Sequence, residues 1–346
     1  MAIFGLARSG MSALRHQSSK GDYECYAVNR GEPQTWEHYE EVAQLIGEQH
    51  CYNEDDSKSL LGEMDVIVKS PGIPYTHPAL AKARDNKVEI ISEIEYAFRC
   101  SDIPVVAITG TNGKTTTATM IFELLSSLGK KVFLGGNIGI PYSEILCSTD
   151  KYDWAVIEVS SFQLENIKSF APRIAILTNI SPSHAERYDS HDLYRDAKLK
   201  LFQNMTQEDI AFVNKAFYGL NLPCRKKSIK ALDSFDYSKT KMVGEHNKEN
   251  LYCAYLCALE IIQNEEKVDE ATQLYIDSFG GVEYRIQHIV TKDKLEIYND
   301  GKSTNMASTL AAVDSLKGRE IHLVLGGKLR DKSMDFSELS RRELAG

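Results

Sequence analysis

Residues 105–129, VVAITGTNGKTTTATMIFELLSSLG, set two glycines, a lysine and a cluster of threonines between an apolar run and a periodic one. Glycines let backbone N–H groups converge on phosphate oxygens, and the start of a helix adds its partial positive charge. In the run Gly110-Thr111-Asn112-Gly113-Lys114-Thr115-Thr116, Lys114 has the reach for terminal phosphates and the Thr115 hydroxyl suits Mg²⁺. The position five before Gly113 is Ile108, so the loop is the short form G-x-x-G-K-T and not G-x-x-x-x-G-K-[ST]. A plain glycine-rich strand–helix turn is the competing reading, and lysine followed by threonine in this context disfavours it.

Such a loop needs a strand before it and a helix after it. Ile121, Leu124, Leu125 and Leu128 follow i, i+3, i+4, i+7, and Gly129 ends that helix. Apolar runs of the buried parallel kind recur at VVAIT, KKVFL, WAVIEV, RIAILTN and DIAFVN, with helical patterns between them. A later helix, NKENLYCAYLCALEIIQ, puts Leu251, Ala254, Tyr255, Ala258 and Ile262 on one face. Earlier, AIF, GLARSG and MSALRHQSS read as strand, turn and helix, and DVIVKSPGIP as a strand with a Pro-Gly break. Further strands are expected at KLEIYND and IHLVLGG. The whole is α/β, in three units: residues 1–100, 101–281 and 282–346.

Lys plus Arg number 40 against 49 Asp plus Glu, a net charge of −9, which argues against a nucleic-acid or anionic-membrane footprint over the whole surface. No apolar run approaches the roughly 18 residues that span a bilayer, and the first residues lack the pattern of a signal peptide. The seven cysteines are scattered without a CxxC, so reduced thiols and a cytoplasmic setting are expected.

Beyond the loop, GGNIG (135–139), EVSSFQLE (158–165), TNISPSHAERY (178–188), YRDAKLKLF (194–202), GEHNKEN (244–250) and NDGKSTN (299–305) occur in order. Together with GTNGKTT they resemble the Mur ligases, ATP-dependent amide-bond-forming enzymes of peptidoglycan synthesis, and SSFQLE resembles the D-glutamate-adding branch. The resemblance implies a Rossmann-like first domain that binds a UDP-sugar, a P-loop central domain, and a Rossmann-like third domain of which 282–346 supplies only part. It implies Glu158, His184 and Lys198 as metal ligands beside Thr115, with Lys198 carbamylated and a pair of Mg²⁺ ions. These side chains should converge on the loop. Asn250, Arg285 and Asp300 are implied at the nucleotide. Lys302, Thr304 and Lys332 are implied at D-glutamate, where cationic and hydroxyl groups suit two carboxylates. Ala7, Arg8 and Ser9 of GLARSG, then Asn29, Arg30, Ser70, Pro71, Gly72 and Asn137, are implied at the UDP-sugar. Val28 stands where an acidic residue is expected, Ser183 where the family has Asp, and Tyr284 where it has His.

The reaction so implied is ligation of D-glutamate to UDP-N-acetylmuramoyl-L-alanine through an acyl phosphate, by a cytoplasmic monomer serving cell-wall synthesis. Two alternatives stay open. One is another amide ligase of the superfamily, such as folylpolyglutamate synthetase. The other is a nucleotide-binding remnant without ligase activity: family members extend further, so the third unit is expected to dock loosely and this chain to make little or no product. Lys114 is expected to face solvent in the empty loop.

Overall fold

The computed structural model describes residues 1–182, 187–292, 295–303, 305–327, 337, 339 and 344. Three sheets follow one another along the chain. The first has five parallel strands: β1 (Ala2–Phe4), β2 (Tyr26–Asn29), β3 (Cys51–Asn53), β4 (Val66–Lys69) and β5 (Glu89–Ser92), in the order β3-β2-β1-β4-β5. The second has six: β6 (Val105–Thr109), β7 (Val132–Gly136), β8 (Trp154–Glu158), β9 (Ile174–Leu177), β10 (Ile210–Asn214) and β11 (Arg225–Ile229), in the order β11-β10-β9-β6-β8-β7. All its pairings are parallel.

β6 shows why these runs become central strands. Every one of its residues is buried. Val106 and Ile108 pack against the helix Lys114–Ser127 and the helix Glu245–Ile262, while Val105 and Ala107 face the opposite layer with Phe170 and Leu201. A strand covered on both faces must be apolar throughout. The connections leaving β6 run to opposite sides of it, since β8 and β7 lie one way and β9 and β10 the other. The crevice at the carboxyl end of β6 is therefore a topological switch point, the place where such sheets take ligands. In the first sheet the equivalent crevice lies between β1 and β4.

The third sheet is an antiparallel hairpin of β12 (Gln287–Val290) and β13 (Glu296–Asn299), followed by the helix Met306–Ser315. The expected strand at IHLVLGG does not form: residues 321–327 have no regular structure and Val324 is 92% exposed. A strand needs a neighbour for its backbone groups, and no pairing reaches this segment among the described residues. The described part of the third unit nevertheless touches the central one, through Arg285 on Thr115 at 3.3 Å and Asn305 on Asn112 at 3.0 Å.

The first two units meet along the helix Glu93–Cys100. Glu95, with no exposed surface, accepts hydrogen bonds from the backbone N–H groups of Lys168, Ser169 and Phe170, from the Ser169 hydroxyl, and from Arg99. Burial pushes its pKa up, but these donors outweigh that and hold it below the usual value. Glu93, two residues earlier, accepts from the Ser143 N–H, and among the described residues its second oxygen has no partner. Burial raises its pKa from 4.5 to about 7.

Two outcomes follow. Because the folded chain keeps Glu93 protonated where the unfolded chain has lost that proton, the Glu93 contribution to stability falls as pH rises from 4.5 to about 7. Glu93→Gln should flatten that part of a pH series of urea midpoints. Glu95→Ala leaves several donors unpaired and should lower stability by about 2–3 kcal/mol, read from the same urea transitions.

Candidate active site

Gly110 opens the loop after β6 with φ +149°, and an added Cβ would lie 2.0 Å from the Thr178 hydroxyl oxygen, so only glycine fits. Thr178 and Asn179, which follow β9, fasten the loop from the neighbouring strand end. The Thr178 hydroxyl donates to the Asn112 carbonyl at 2.6 Å, and Asn179 Oδ1 accepts from the Asn112 N–H at 2.9 Å. Thr111 donates to the Ser181 carbonyl. The helix Lys114–Ser127 begins at the loop with no side-chain cap, leaving its first N–H groups for a ligand.

Glu158 ends β8, the strand on the other side of β6, and is 2% exposed. Its Oε2 accepts from the Thr115 hydroxyl at 2.7 Å, and its Oε1 from Asn137 Nδ2 at 2.8 Å. Lys198, in the helix His191–Leu199, is also 2% exposed. Its amine donates to the Gly110 carbonyl at 2.8 Å and sits 4.5 Å above the Tyr194 ring. Burial, then the nearby Lys114 charge, push the Lys198 pKa well below its ordinary value, against the pull of Glu158. Lys114 does not face solvent as expected. It is half-buried and its amine turns back to the Thr111 carbonyl at 3.0 Å. Burial lowers its pKa, Glu158 opposes that, and Arg285 adds to it. Arg285 is half-buried, and its Nε has no hydrogen-bond partner among the described residues.

A cavity of about 190 Å³ adjoins the loop. Asn112, Gly113, Thr116, Asn250, Arg285 and Asp300 all line it. Sequence reading did not single out Asn179, His246 or Asn247 there, although GEHNKEN carries two of them. Asn250 is fixed by accepting from Thr117 at 3.1 Å and donating to Asn247 at 3.2 Å. Asp300 accepts from the Ile286 N–H and the Ser303 hydroxyl. Lys302 is exposed and lies over the Tyr284 ring, not in this cavity. His184, Thr304 and Lys332 lie outside the described residues, as does Ser183.

In the first unit, Ala7 stands at the N-cap of the helix Arg8–Lys20 without capping it, so the helix start is open to an anion. Gly10 is required there: a Cβ on it would meet the Gly5 carbonyl oxygen at 1.9 Å. Ser70 turns its hydroxyl inward to the Gly5 carbonyl at 2.7 Å, tying the turn after β4 to the turn after β1. Asn29 accepts from the Leu6 N–H at 3.4 Å, while Arg30 and Gly72 are exposed and Pro71 half-buried. Val28 is fully buried between strands, a position with no room for an acid at the surface. Asn137, expected at the UDP-sugar, commits its side chain to Glu158. Arg8 bonds the Gly139 carbonyl at 3.3 Å, so the loop 135–139 links the first unit to the phosphate loop.

The donor set can be tested for a metal. Thr115 and Glu158 supply two hard oxygen donors side by side, which suits Mg²⁺, an ion that fills its remaining positions with phosphate oxygens and water. Among the described residues no three His, Cys, Asp or Glu side chains cluster. An unmodified Lys198 ammonium has no lone pair to give.

A short phosphate loop at a switch point, a carboxylate on its threonine and an adjoining Rossmann-like unit define a nucleotide-using ligase fold, and the chain belongs to the Mur ligase family. The Mur ligase middle domain matches residues 108–227, and the Mur ligase MurD-like N-terminal domain matches residues 1–92. The chain is 32% identical to a UDP-N-acetylmuramoylalanine--D-glutamate ligase of Natranaerobius thermophilus, over 98% of this chain and 79% of that one. It is 33% identical to the ligase of the same name from Lactococcus lactis subsp. cremoris, over 99% and 80%. The solved UDP-N-acetylmuramate-alanine ligase of Thermotoga maritima shares the fold, with TM-score 0.51, 21% identity and coverage of 91% and 77%.

Lys114→Ala should lower phosphate release from ATP by at least about 100-fold, the scale for removing one preorganised electrostatic contact. Its one hydrogen bond to the loop makes the melting temperature nearly unchanged. Retention of most phosphate release would remove Lys114 from the reaction.

Proposed function

We propose that this chain is an ATP-dependent ligase that joins D-glutamate to UDP-N-acetylmuramoyl-L-alanine, a cytoplasmic step of peptidoglycan precursor synthesis. The observation that carries the reading is the Thr115–Glu158 pair set among Lys114, Lys198 and Arg285, at the crevice that Arg8 and Gly139 join to the first unit. Relatives that share about a third of their residues with this chain carry the name of that ligase.

The terminal carboxylate of the L-alanyl group attacks the γ-phosphorus of ATP, and ADP leaves with the electron pair of the broken bond. The product is an acyl phosphate. The D-glutamate amine then attacks the acyl carbon, phosphate departs, and the amine proton is lost to give the amide. Lys114, the loop N–H groups and Arg285 neutralise charge on the phosphoryl oxygens, where preorganised donors contribute most. Asn112, Asn250 and Asp300 line the cavity that receives the nucleoside side of ATP. Ala7, Arg8, Ser9, Asn29, Arg30, Ser70, Pro71 and Gly72 receive the UDP-sugar at the first switch point. Thr115 and Glu158 would hold Mg²⁺, which supplies Lewis-acid polarisation of the phosphates when bound. Lys198 is the carbamylation candidate because burial and the nearby Lys114 charge favour its neutral amine, the form that CO₂ requires. With His184 it would complete a second ion's ligands, and Lys302, Thr304 and Lys332 would face D-glutamate.

Nucleotide binding without ligation is the second reading, favoured by segment 321–327, which pairs with no strand among the described residues and exposes Val324. A coupled phosphate assay separates the two. Release should require both UDP-N-acetylmuramoyl-L-alanine and D-glutamate, with L-glutamate inactive. Turnover of ATP indifferent to D-glutamate would leave only nucleotide binding and hydrolysis.

A further inference from the structure

Asn137 follows Gly136, and Gly136 is the residue of β7 that stands in register with Glu158, the last residue of β8. Gly136 has φ +95°, and a Cβ on it would lie 2.3 Å from the Glu158 carbonyl oxygen, so only glycine brings the loop this near. The Gly136 N–H donates to the Ile140 carbonyl at 2.8 Å, closing the loop on itself, and the Asn137 N–H donates to the Glu158 carbonyl at 2.8 Å. The backbone of Asn137 is thus fixed to that of Glu158. Its side chain repeats the attachment: Nδ2 donates to Glu158 Oε1 at 2.8 Å, and only that end of the amide suits an ionised carboxylate, which accepts and does not donate. The Thr115 hydroxyl takes the other oxygen, Oε2, at 2.7 Å. The last torsion of a glutamate is broad and roughly two-fold, so a carboxylate held at one oxygen keeps rotational freedom that one held at both has lost.

We infer that Asn137 is a positioning residue for Glu158: by holding Oε1 it directs Oε2 toward Thr115, so that the two oxygen donors are presented together to Mg²⁺. The inference rests on the Mg²⁺ reading of the Thr115–Glu158 pair given above. Hydrogen-bond partners of a metal-ligating carboxylate contribute about 10–100-fold to affinity for the ion, and a single neutral amide belongs at the lower end of that range.

The test is calorimetric titration of the full chain with adenylyl imidodiphosphate, a non-hydrolysable ATP analogue, once with Mn²⁺ and once in EDTA. The ratio of the two affinities isolates the contribution of the ion without any turnover. In the wild type Mn²⁺ should tighten binding. Asn137→Ala, and Asn137→Leu, which keeps the bulk, should each cut that tightening about tenfold and leave the affinity in EDTA unchanged. Glu158→Gln should cut it at least as far. Tightening that falls in Glu158→Gln but survives in the Asn137 variants overturns the inference. So does an affinity in EDTA that falls in parallel with the affinity in Mn²⁺, the mark of a merely structural role. Either Asn137 variant decides the matter if the other fails to fold. A wild type that Mn²⁺ does not tighten, or tightening that survives in Glu158→Gln, overturns the Mg²⁺ reading itself, and this inference with it.

Discussion

The hydrogen bond between the Thr115 hydroxyl and the Glu158 carboxylate joins the first residues of the loop helix to the end of the neighbouring strand. Much else is arranged around it. Asn137 holds the other Glu158 oxygen, and the Asn137 N–H bonds the Glu158 carbonyl, so the 135–139 loop is drawn over the same point. Arg285 reaches Thr115 from the third unit. Lys114 and Lys198 both feel the Glu158 charge, Lys198 also that of Lys114, and Lys114 that of Arg285. Two closely placed amines with lowered proton affinity and an arginine whose Nε has no partner among the described residues surround one carboxylate, an arrangement that a polyanion would relieve. The fold thus holds charges together that would separate in a free chain, and the packed sheet beneath supplies the rigidity.

Much of this was legible in the residues. The G-x-x-G-K-T run, the strand before it and the periodic helix after it specify the loop and its partner layer, because buried parallel strands must be apolar on both faces. Glu158 could be placed because it ends such a run. Other features were not legible. β11, RKKSI, is an edge strand whose alternate residues are exposed, so it carries charge and lacks the apolar signature of β6 or β9. β2, β3 and β5 are short, and their register comes from the sheet and not from their own sequence. IHLVLGG has strand composition, yet composition does not supply a neighbour. Asn137 sits in a glycine-rich loop whose conformation brings its amide to Glu158, a contact that spacing in the sequence does not show. Lys69 reads as an ordinary surface lysine until β4 is seen to be covered.

The two crevices depend on different means. At the phosphate loop, glycine at position 110 lets β9's Thr178 close in, and side-chain hydrogen bonds across strand ends fix the shape. At the first switch point, close approach of Gly10 to Gly5 and the Ser70–Gly5 bond hold two turns together with little side-chain bulk. Arg8 and Gly139 are where the two meet.

The Glu95 clamp bears on how such chains can be recombined. Three successive backbone N–H groups, from Lys168 to Phe170, converge on a carboxylate that belongs to the preceding unit. Such a row of donors is an anion-binding concavity wherever it is left vacant. A central unit grafted onto a foreign first unit would therefore need an acid at the matching helical position. Otherwise it would recruit a free anion to the seam. The boundary between the units is a lock with its own key, and modular exchange in this architecture has to transplant residues 93–100 and 168–170 as one piece.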